Sequence, residues 1–275
     1  MNAFEALVLG VVQGLTEFLP ISSTAHLRIV PAFAGWQDPG AAFTAVTQLG
    51  TMAAVVLFFR SDLLRIARSW LGSLRDPARR SELDARLGWM ILLGTIPIGI
   101  FGLAFKDQIE TGARDLTLIG ITLIALGLVL AVAERVGRRE RSIEQMTGRD
   151  GAIIGFAQAL ALVPGVSRSG ATISAGLFLG LDRVDAARFS FLLSIPAVVL
   201  SGLFELKGLA DGSTTGPRPA LGIVGLATVV AFIVGYASIA FLLRFLTSHS
   251  TGVFVVYRVG LGALVLVLVA SGVIG

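Results

Sequence analysis

Pro20-Ile21-Ser22-Ser23-Thr24-Ala25-His26 and Pro164-Gly165-Val166-Ser167-Arg168-Ser169-Gly170-Ala171-Thr172 are two short polar knots in a chain that is otherwise close to hydrocarbon. They stand about half the chain apart, one near the start of each half. Each contains a proline that breaks a helix, several hydroxyls and one cationic or titratable side chain. Such groups are costly at membrane depth and are retained there chiefly for function. Outward from the knots, the apolar stretches 3–30 and 151–181 are each divided into two arms. Arms of roughly 10–15 residues are too short to cross a bilayer core of about 30 Å, and they suit re-entrant helical hairpins. A broken helix at that depth must be shielded by protein or line a wet cavity.

The composition sets the same frame. The chain is 55% hydrophobic and only 15% charged, with a mean hydropathy of +0.84, outside the range of ordinary soluble proteins. Stretches 41–59, 88–105, 116–133, 189–206, 220–243 and 253–274 read as six full spans. The net charge of +4 comes from basic residues in connecting segments, which fits retention of loops in the cytoplasm and not nucleic-acid binding. With no cysteine, disulfides and thiolate metal sites are excluded. No cleavable leader is expected, because the first basic residue is Arg28 and the early apolar run lacks a positive n-region.

The arginines orient the spans. Residues 60–87, read as a loop, carry Arg60, Arg65, Arg68, Arg75, Arg79, Arg80 and Arg86, and 134–150 carry Arg135, Arg138, Arg139, Arg141 and Arg149. Two spans separate these loops, so both fall on one side, as the positive-inside rule asks. The loop 106–115, with Lys106 and Arg114 against Asp107, Glu110 and Asp115, suits the opposite side. If 151–181 enters and leaves on the arginine side, 3–30 must enter from the other. The expected architecture is an all-α polytopic membrane protein in a single integral domain, with six transmembrane helices plus two re-entrant helical hairpins. Repeat 1 covers about 1–134 and repeat 2 about 151–275, with inverted topology. Gly10 and Gln13 match Gly155 and Gln158, and Pro20 with Ser23 matches Pro164 with Ser167.

Several side chains could carry chemistry. Gln13 and Glu17 are four apart and share a helix face. Beyond Pro20, Ser22 and Ser23 lie within one helical turn of His26. A hydroxyl beside an imidazole, with a carboxylate nearby, is a general arrangement for activating a nucleophile. A lone serine here would read as a helix cap, whereas Glu17, Ser23 and His26 together in an apolar hairpin read as a catalytic group. In the second knot, Ser167, Ser169 and Thr172 supply hydroxyls, and Arg168 adds a planar charged fork suited to phosphate oxygens. A helix resuming near Ser169 would aim unpaired N–H groups into the same space. Elsewhere, Pro97 and Pro196 read as kinks, and Gly120, Gly127, Gly222, Gly225 and Gly235 read as helix-packing positions. Arg258, five residues into the last span, reads as snorkelling to the cytoplasmic edge. Inverted repeats with broken helices also build secondary transporters, so a transporter or flippase of a phosphate-bearing lipid or small anion is the rival class.

Gly10-Val-Val-Gln-Gly-Leu-Thr-Glu-Phe-Leu-Pro-Ile-Ser-Ser-Thr-Ala-His26 and Leu162-Val-Pro-Gly-Val-Ser-Arg-Ser-Gly-Ala-Thr-Ile173, supported by Gln48-Leu-Gly-Thr51 and Phe189-Ser-Phe-Leu-Leu193, resemble the undecaprenyl-diphosphate phosphatase (bacitracin-resistance) family. The resemblance runs from end to end. It implies removal of one phosphate from a C55 polyprenyl diphosphate, in the bacterial cytoplasmic membrane, by a site open to its outer (periplasmic) face. It also implies that the product serves as the carrier for peptidoglycan synthesis. Carried over, it implies catalytic roles for Glu17, Ser23, His26 and Arg168, and phosphate contacts from Ser22, Thr24, Ser167, Arg168, Ser169 and Thr172. It marks Gln13 and Glu17 as the place for a metal. Many members have glutamate where this chain has Gln13. With one carboxylate, a tightly held Mg²⁺ is less expected, and a divalent cation bridging Glu17 and the diphosphate stays open. In this reading Ser23 is the nucleophile with His26 as its proton partner, and direct attack by water stays open beside it. The expected partners are the polyprenyl diphosphate and the lipid bilayer, with no nucleic acid, and a homodimer stays open.

Overall fold

The computed structural model describes residues 1–105, 108, 115–208 and 220–274, with the backbone of 209–211. The charged residues expected between the second and third spans, 106–107 and 109–114, lie outside the described residues. Within them the chain is 82% helical, with no strand. The helices are α1 (Ala3–Thr16), α2 (Ser23–Ala34), α3 (Gly40–Phe58), α4 (Arg60–Arg75), α5 (Leu83–Ala104), α6 (Leu116–Val136), α7 (Gly148–Ala159), α8 (Arg168–Phe178), α9 (Arg183–Asp211), α10 (Leu221–Leu246) and α11 (Gly252–Ala270).

Six of these, α3, α5, α6, α9, α10 and α11, are long and apolar enough to cross a membrane, and they coincide with the six expected spans. The protein is therefore an all-α polytopic membrane protein. Differences fall at the ends, where polar residues such as Asp84 and Arg86 extend α5 by a turn that hydropathy does not register. The segment 60–87 is not the loop expected from its arginines. Its first part is the amphipathic helix α4, which buries Ile66, Ser69 and Ser73 and packs along α5, with Trp70 edge-on to Trp89. Charge density hid a helical stripe of apolar residues.

The arginine-bearing segments gather at one end of the bundle. Arg188 bonds Asp62 at 2.6 Å, Arg86 donates to the carbonyls of Glu144 and Met146, and Arg183 pairs with Glu134. Glu134 also accepts from the backbone and hydroxyl of Thr251. At this end Arg141 reaches Asp150 at the start of α7 and the Leu179 carbonyl at the end of α8. Helices α7 and α8 thus leave and return at the same end. At the other, Phe4 of α1 meets Trp36 just beyond α2, ring centroids 6.1 Å apart, so this pair also begins and ends together.

Helix contacts recur between the halves. Helix α1 packs on α10 and α7 on α5, while α3 packs on α10 and α9 on α5. The first helix of each half is thereby clamped by a long helix of the other, which interlocks the halves around the paired breaks. Close approach depends on bare backbone at Gly155, where an added Cβ would lie 2.5 Å from the Gly94 Cα. Of the expected packing glycines, Gly120, Gly127 and Gly235 do face neighbouring side chains, whereas Gly222 and Gly225 face open space. Gly155→Ala is therefore expected to lower the thermal midpoint in detergent, by roughly 1–3 kcal/mol of overpacking. Gly225→Ala should leave it unchanged, and equal effects would contradict this packing.

Candidate active site

The site forms where the two breaks meet. Gln13 and Glu17 lie one turn apart at the end of α1, and Gln13 Nε2 donates to Glu17 Oε2 at 2.9 Å. The chain then turns through Pro20 and re-enters helix at Ser22, whose backbone takes φ 74° and ψ 97°. In the second half Ser167 takes φ 69° and ψ 114°. Ser22 Oγ accepts from Ala25 N at 3.4 Å, and Ser167 Oγ accepts from Gly170 N at 3.1 Å. Each hydroxyl also lies 3.2 Å from the one two residues on, Thr24 in one loop and Ser169 in the other. The loops are near-copies, with Ser22 equivalent to Ser167 and the same spacing relating Gln13 to Gln158. Ser23 therefore corresponds to Arg168, and matching Ser23 with Ser167 through the prolines is out by one position. The cap, not the proline, sets the register.

A positive φ on a non-glycine residue costs on the order of 1–3 kcal/mol. Both serines are held there by their caps and by the packing behind them. Gly165 just before has φ +83°, and an added Cβ there would sit 2.1 Å from Thr122 Oγ1.

Of three contacts here, the first and the third join the halves. Arg168 forms a buried ion pair with Glu17 Oε1, Ser23 Oγ donates to Glu17 Oε2 at 2.6 Å, and Ser169 Oγ donates to the Leu19 carbonyl at 3.1 Å. The Glu17 side chain is 3% exposed and that of Arg168 15%, so the guanidinium keeps the access to solvent. The first-turn N–H groups of Ser23, Thr24, Arg168 and Ser169 have no carbonyl within their own helices. Two helix N-termini and a guanidinium in one place form a cradle for an anion.

His26 is placed differently from expectation. Its Nδ1 lies 2.7 Å from the Ser22 carbonyl and its Nε2 2.7 Å from the Tyr257 hydroxyl. A carbonyl only accepts, so Nδ1 carries the hydrogen and Nε2 accepts from Tyr257. Ser23 therefore pairs with Glu17 and not with His26, because the ring turns back to the carbonyl four residues before it. Thr172 also departs from the expected phosphate contact. It is fully buried, donates to the Arg168 carbonyl at 2.8 Å and lies 2.6 Å from Ser190 Oγ, bracing α8 on α9. The hydroxyls of Ser22 and Ser167 are engaged as caps. Thr24, half-buried, lies at the rim of the cradle.

Two residues of the last helix were not anticipated here. Tyr257 orients His26, and nothing in its sequence context marks it. Arg258 does not snorkel. It is fully buried and donates to the carbonyls of Pro20 (3.0 Å), Gly165 (3.1 Å), Val166 (3.0 Å), Leu123 (3.2 Å) and Thr122 (3.4 Å). The signal was present, since a cation inside an apolar run is a functional candidate by default. Its nearness to the helix start suggested an interfacial role instead. Among the described residues no group of three or more His, Cys, Asp or Glu side chains could hold a metal. Gln13 Oε1 is buried with no hydrogen-bond partner.

Fold and site together define a membrane-embedded protein with an anion cradle beside a carboxylate–serine pair. The sequence profile of the bacitracin resistance protein BacA matches residues 6–264. The chain is 58% identical over 275 residues to an undecaprenyl-diphosphatase of Nocardioides sp., covering 100% of this chain and 99% of that one. It is 53% identical over 279 residues to one of Chlorobaculum parvum (99% of each). It is 55% identical over 279 residues to one of Mycolicibacterium smegmatis (100% of this chain, 99% of that one). This chain belongs to the bacitracin resistance protein family.

The cap geometry inverts a usual order of substitution. Ser167→Ala keeps the strained φ and loses the cap, whereas Ser167→Gly relieves the strain and loses little as a cap, so the alanine variant should be less stable by about 1–2 kcal/mol. Thermal unfolding checks this, and a glycine variant less stable than alanine would contradict the positive φ.

Proposed function

We propose that this chain is an integral membrane phosphatase that hydrolyses undecaprenyl diphosphate to undecaprenyl phosphate and orthophosphate. This would recycle the lipid carrier of peptidoglycan synthesis and confer bacitracin resistance. The single observation that carries the mechanism is Glu17, which accepts from Ser23 with one oxygen and pairs with Arg168 through the other. The names of the full-length relatives support the substrate. A C55 lipid does not leave the bilayer readily, so its head group must be met at depth. Phosphoryl transfer then needs positioning and charge neutralisation more than elaborate covalent machinery.

In this reading Arg168 and the N–H groups of the two helix starts hold the terminal phosphoryl group and its developing charge. Ser23 Oγ attacks phosphorus and its proton passes to Glu17. The anhydride bond breaks with its electron pair left on the undecaprenyl phosphate. Water then cleaves the phosphoserine, with its hydroxyl going to phosphorus and its proton leaving with the orthophosphate, while Ser23 recovers a proton from Glu17. His26, with both ring nitrogens engaged by Ser22 and Tyr257, braces the start of α2. The donor set fits a divalent cation arriving with the substrate: Gln13 Oε1, an oxygen of Glu17 and the phosphate oxygens would hold it. Such an ion would supply charge neutralisation.

We place the arginine-rich end in the cytoplasm of the bacterial inner membrane, with α7–α8 re-entrant from that side and α1–α2 re-entrant from the outer face. The halves are then inverted repeats meeting near the midplane, with the site open to the periplasm. All the groups described come from one chain, so the reading requires no second copy. The broken-helix architecture also suits an anion transporter, and membership of the phosphatase family does not favour that class.

Phosphate release from C55 polyprenyl diphosphate in detergent tests the reading. The wild type is expected to release orthophosphate without a gradient, and Arg168→Ala to lose at least about a hundredfold, near 2.7 kcal/mol of barrier. Ser23→Ala should abolish turnover, and retained activity would assign the attack to water. No release by folded wild type, with or without Mg²⁺, would overturn the phosphatase. Orientation is tested by single cysteines in this cysteine-free chain. Ser81→Cys should react with an impermeant maleimide only after the inner membrane is permeabilised, and labelling from the periplasm would reverse the topology.

A further inference from the structure

Arg258 is a permanently charged group, cut off from water, whose described partners are all backbone carbonyls. Burying a charge without a counter-ion is expensive, and five carbonyl dipoles are what solvates it. The choice of carbonyls is informative. Pro20 and Gly165 hold equivalent positions, each two residues before its cap serine. The Val166 carbonyl lies one residue further on, and those of Thr122 and Leu123 come from α6 behind. Within two residues of these gripped carbonyls, Ser22 and Ser167 take their positive φ. The backbone reverses there, so each loop presents carbonyls to Arg258 and then opens a helix N-terminus on its own far side.

We propose that Arg258 is a positioning residue for the phosphate cradle: one guanidinium on the last helix holds the back of both loops, so that the N-termini of α2 and α8 converge on a single anion. This rests on the reading of the cradle as a phosphate site. The five-donor fork suits the task, because an ammonium could not span carbonyls from three elements. The space around it is fitted. A Cβ added at Gly127 would lie 3.2 Å from Arg258 Cβ, and one at Gly170 would lie 2.7 Å from Nη1. The charge also matters by sign. Arg168 is already paired with Glu17, so Arg258 leaves the resting site with a net positive charge before the diphosphate arrives.

The rival account is that Arg258 merely knots the fold together. The two differ in what they move. Arg258→Lys, Arg258→Met and Gly127→Val are compared on the folded, monodisperse fraction of purified full-length protein. The readouts are KM and kcat for the C55 diphosphate, the inhibition constant of orthophosphate and the thermal midpoint. Positioning predicts that Arg258→Met weakens orthophosphate inhibition and raises KM by at least about tenfold per folded molecule, the equivalent of about 1.4 kcal/mol. Arg258→Lys should recover part of the phosphate affinity through its charge. Gly127→Val, which displaces the guanidinium without removing it, should shift both constants in the same direction by a smaller factor. A lower midpoint with KM and phosphate inhibition unchanged within about twofold would overturn the proposal. Should Arg258→Met fail to fold, the lysine and Gly127 variants decide by the same criteria. Binding of orthophosphate to the wild type, read as a rise in thermal midpoint, separates the outcomes. If phosphate binds but no substrate turns over, the enzymatic reading fails while the positioning claim is still tested.

Discussion

A carboxylate and a guanidinium from opposite halves of the chain, both largely withdrawn from water, meet at the Glu17–Arg168 pair. Everything else about the site follows from the need to keep that pair. Alone in hydrocarbon, either charge would be costly, and deleting one partner of such a pair typically costs about 3–5 kcal/mol. The two broken helix pairs must therefore meet inside the bundle, and the long helices must interlock to hold them there. Helices α10 and α5 do this by clamping α1 and α7 across the halves.

The halves are similar in backbone and different in chemistry. The caps at Ser22 and Ser167 share φ, ψ, hydroxyl pairing and the bond to the third residue on. On that shared scaffold, the residue after the cap is Ser23 in one loop and Arg168 in the other. Glu17 has its counterpart at Leu162. One loop thus carries the serine paired with Glu17, and the other carries the cation that meets the same carboxylate. Two similar loops with different side chains yield an asymmetric site.

Much of this was legible in the sequence, and the limits have physical causes. Spans are read from hydropathy because twenty apolar residues have few other uses, so the six long helices were found to within a turn or so at most ends. The polar knots were found because hydroxyls and charges are out of place at depth. Helix α4 was missed because its arginines mask an apolar stripe. Within the site, spacing placed Gln13 and Glu17 on one face correctly, but it paired Ser23 with His26. Sequence distance cannot say which way an imidazole turns when a backbone carbonyl four residues earlier offers a bond. Arg258 was read as interfacial because its partners, carbonyls in three separate segments, carry no mark in the sequence.

The most direct test of the account is a double-mutant cycle on Glu17 and Arg168, measuring phosphate release from C55 polyprenyl diphosphate for wild type, Glu17→Gln, Arg168→Gln and the double variant. If the pair acts as one unit, the double variant is no slower than the worse single one, and the losses are far from additive. Losses that simply multiply would mean that the two halves contribute independently, and would contradict a single site built where the two breaks meet.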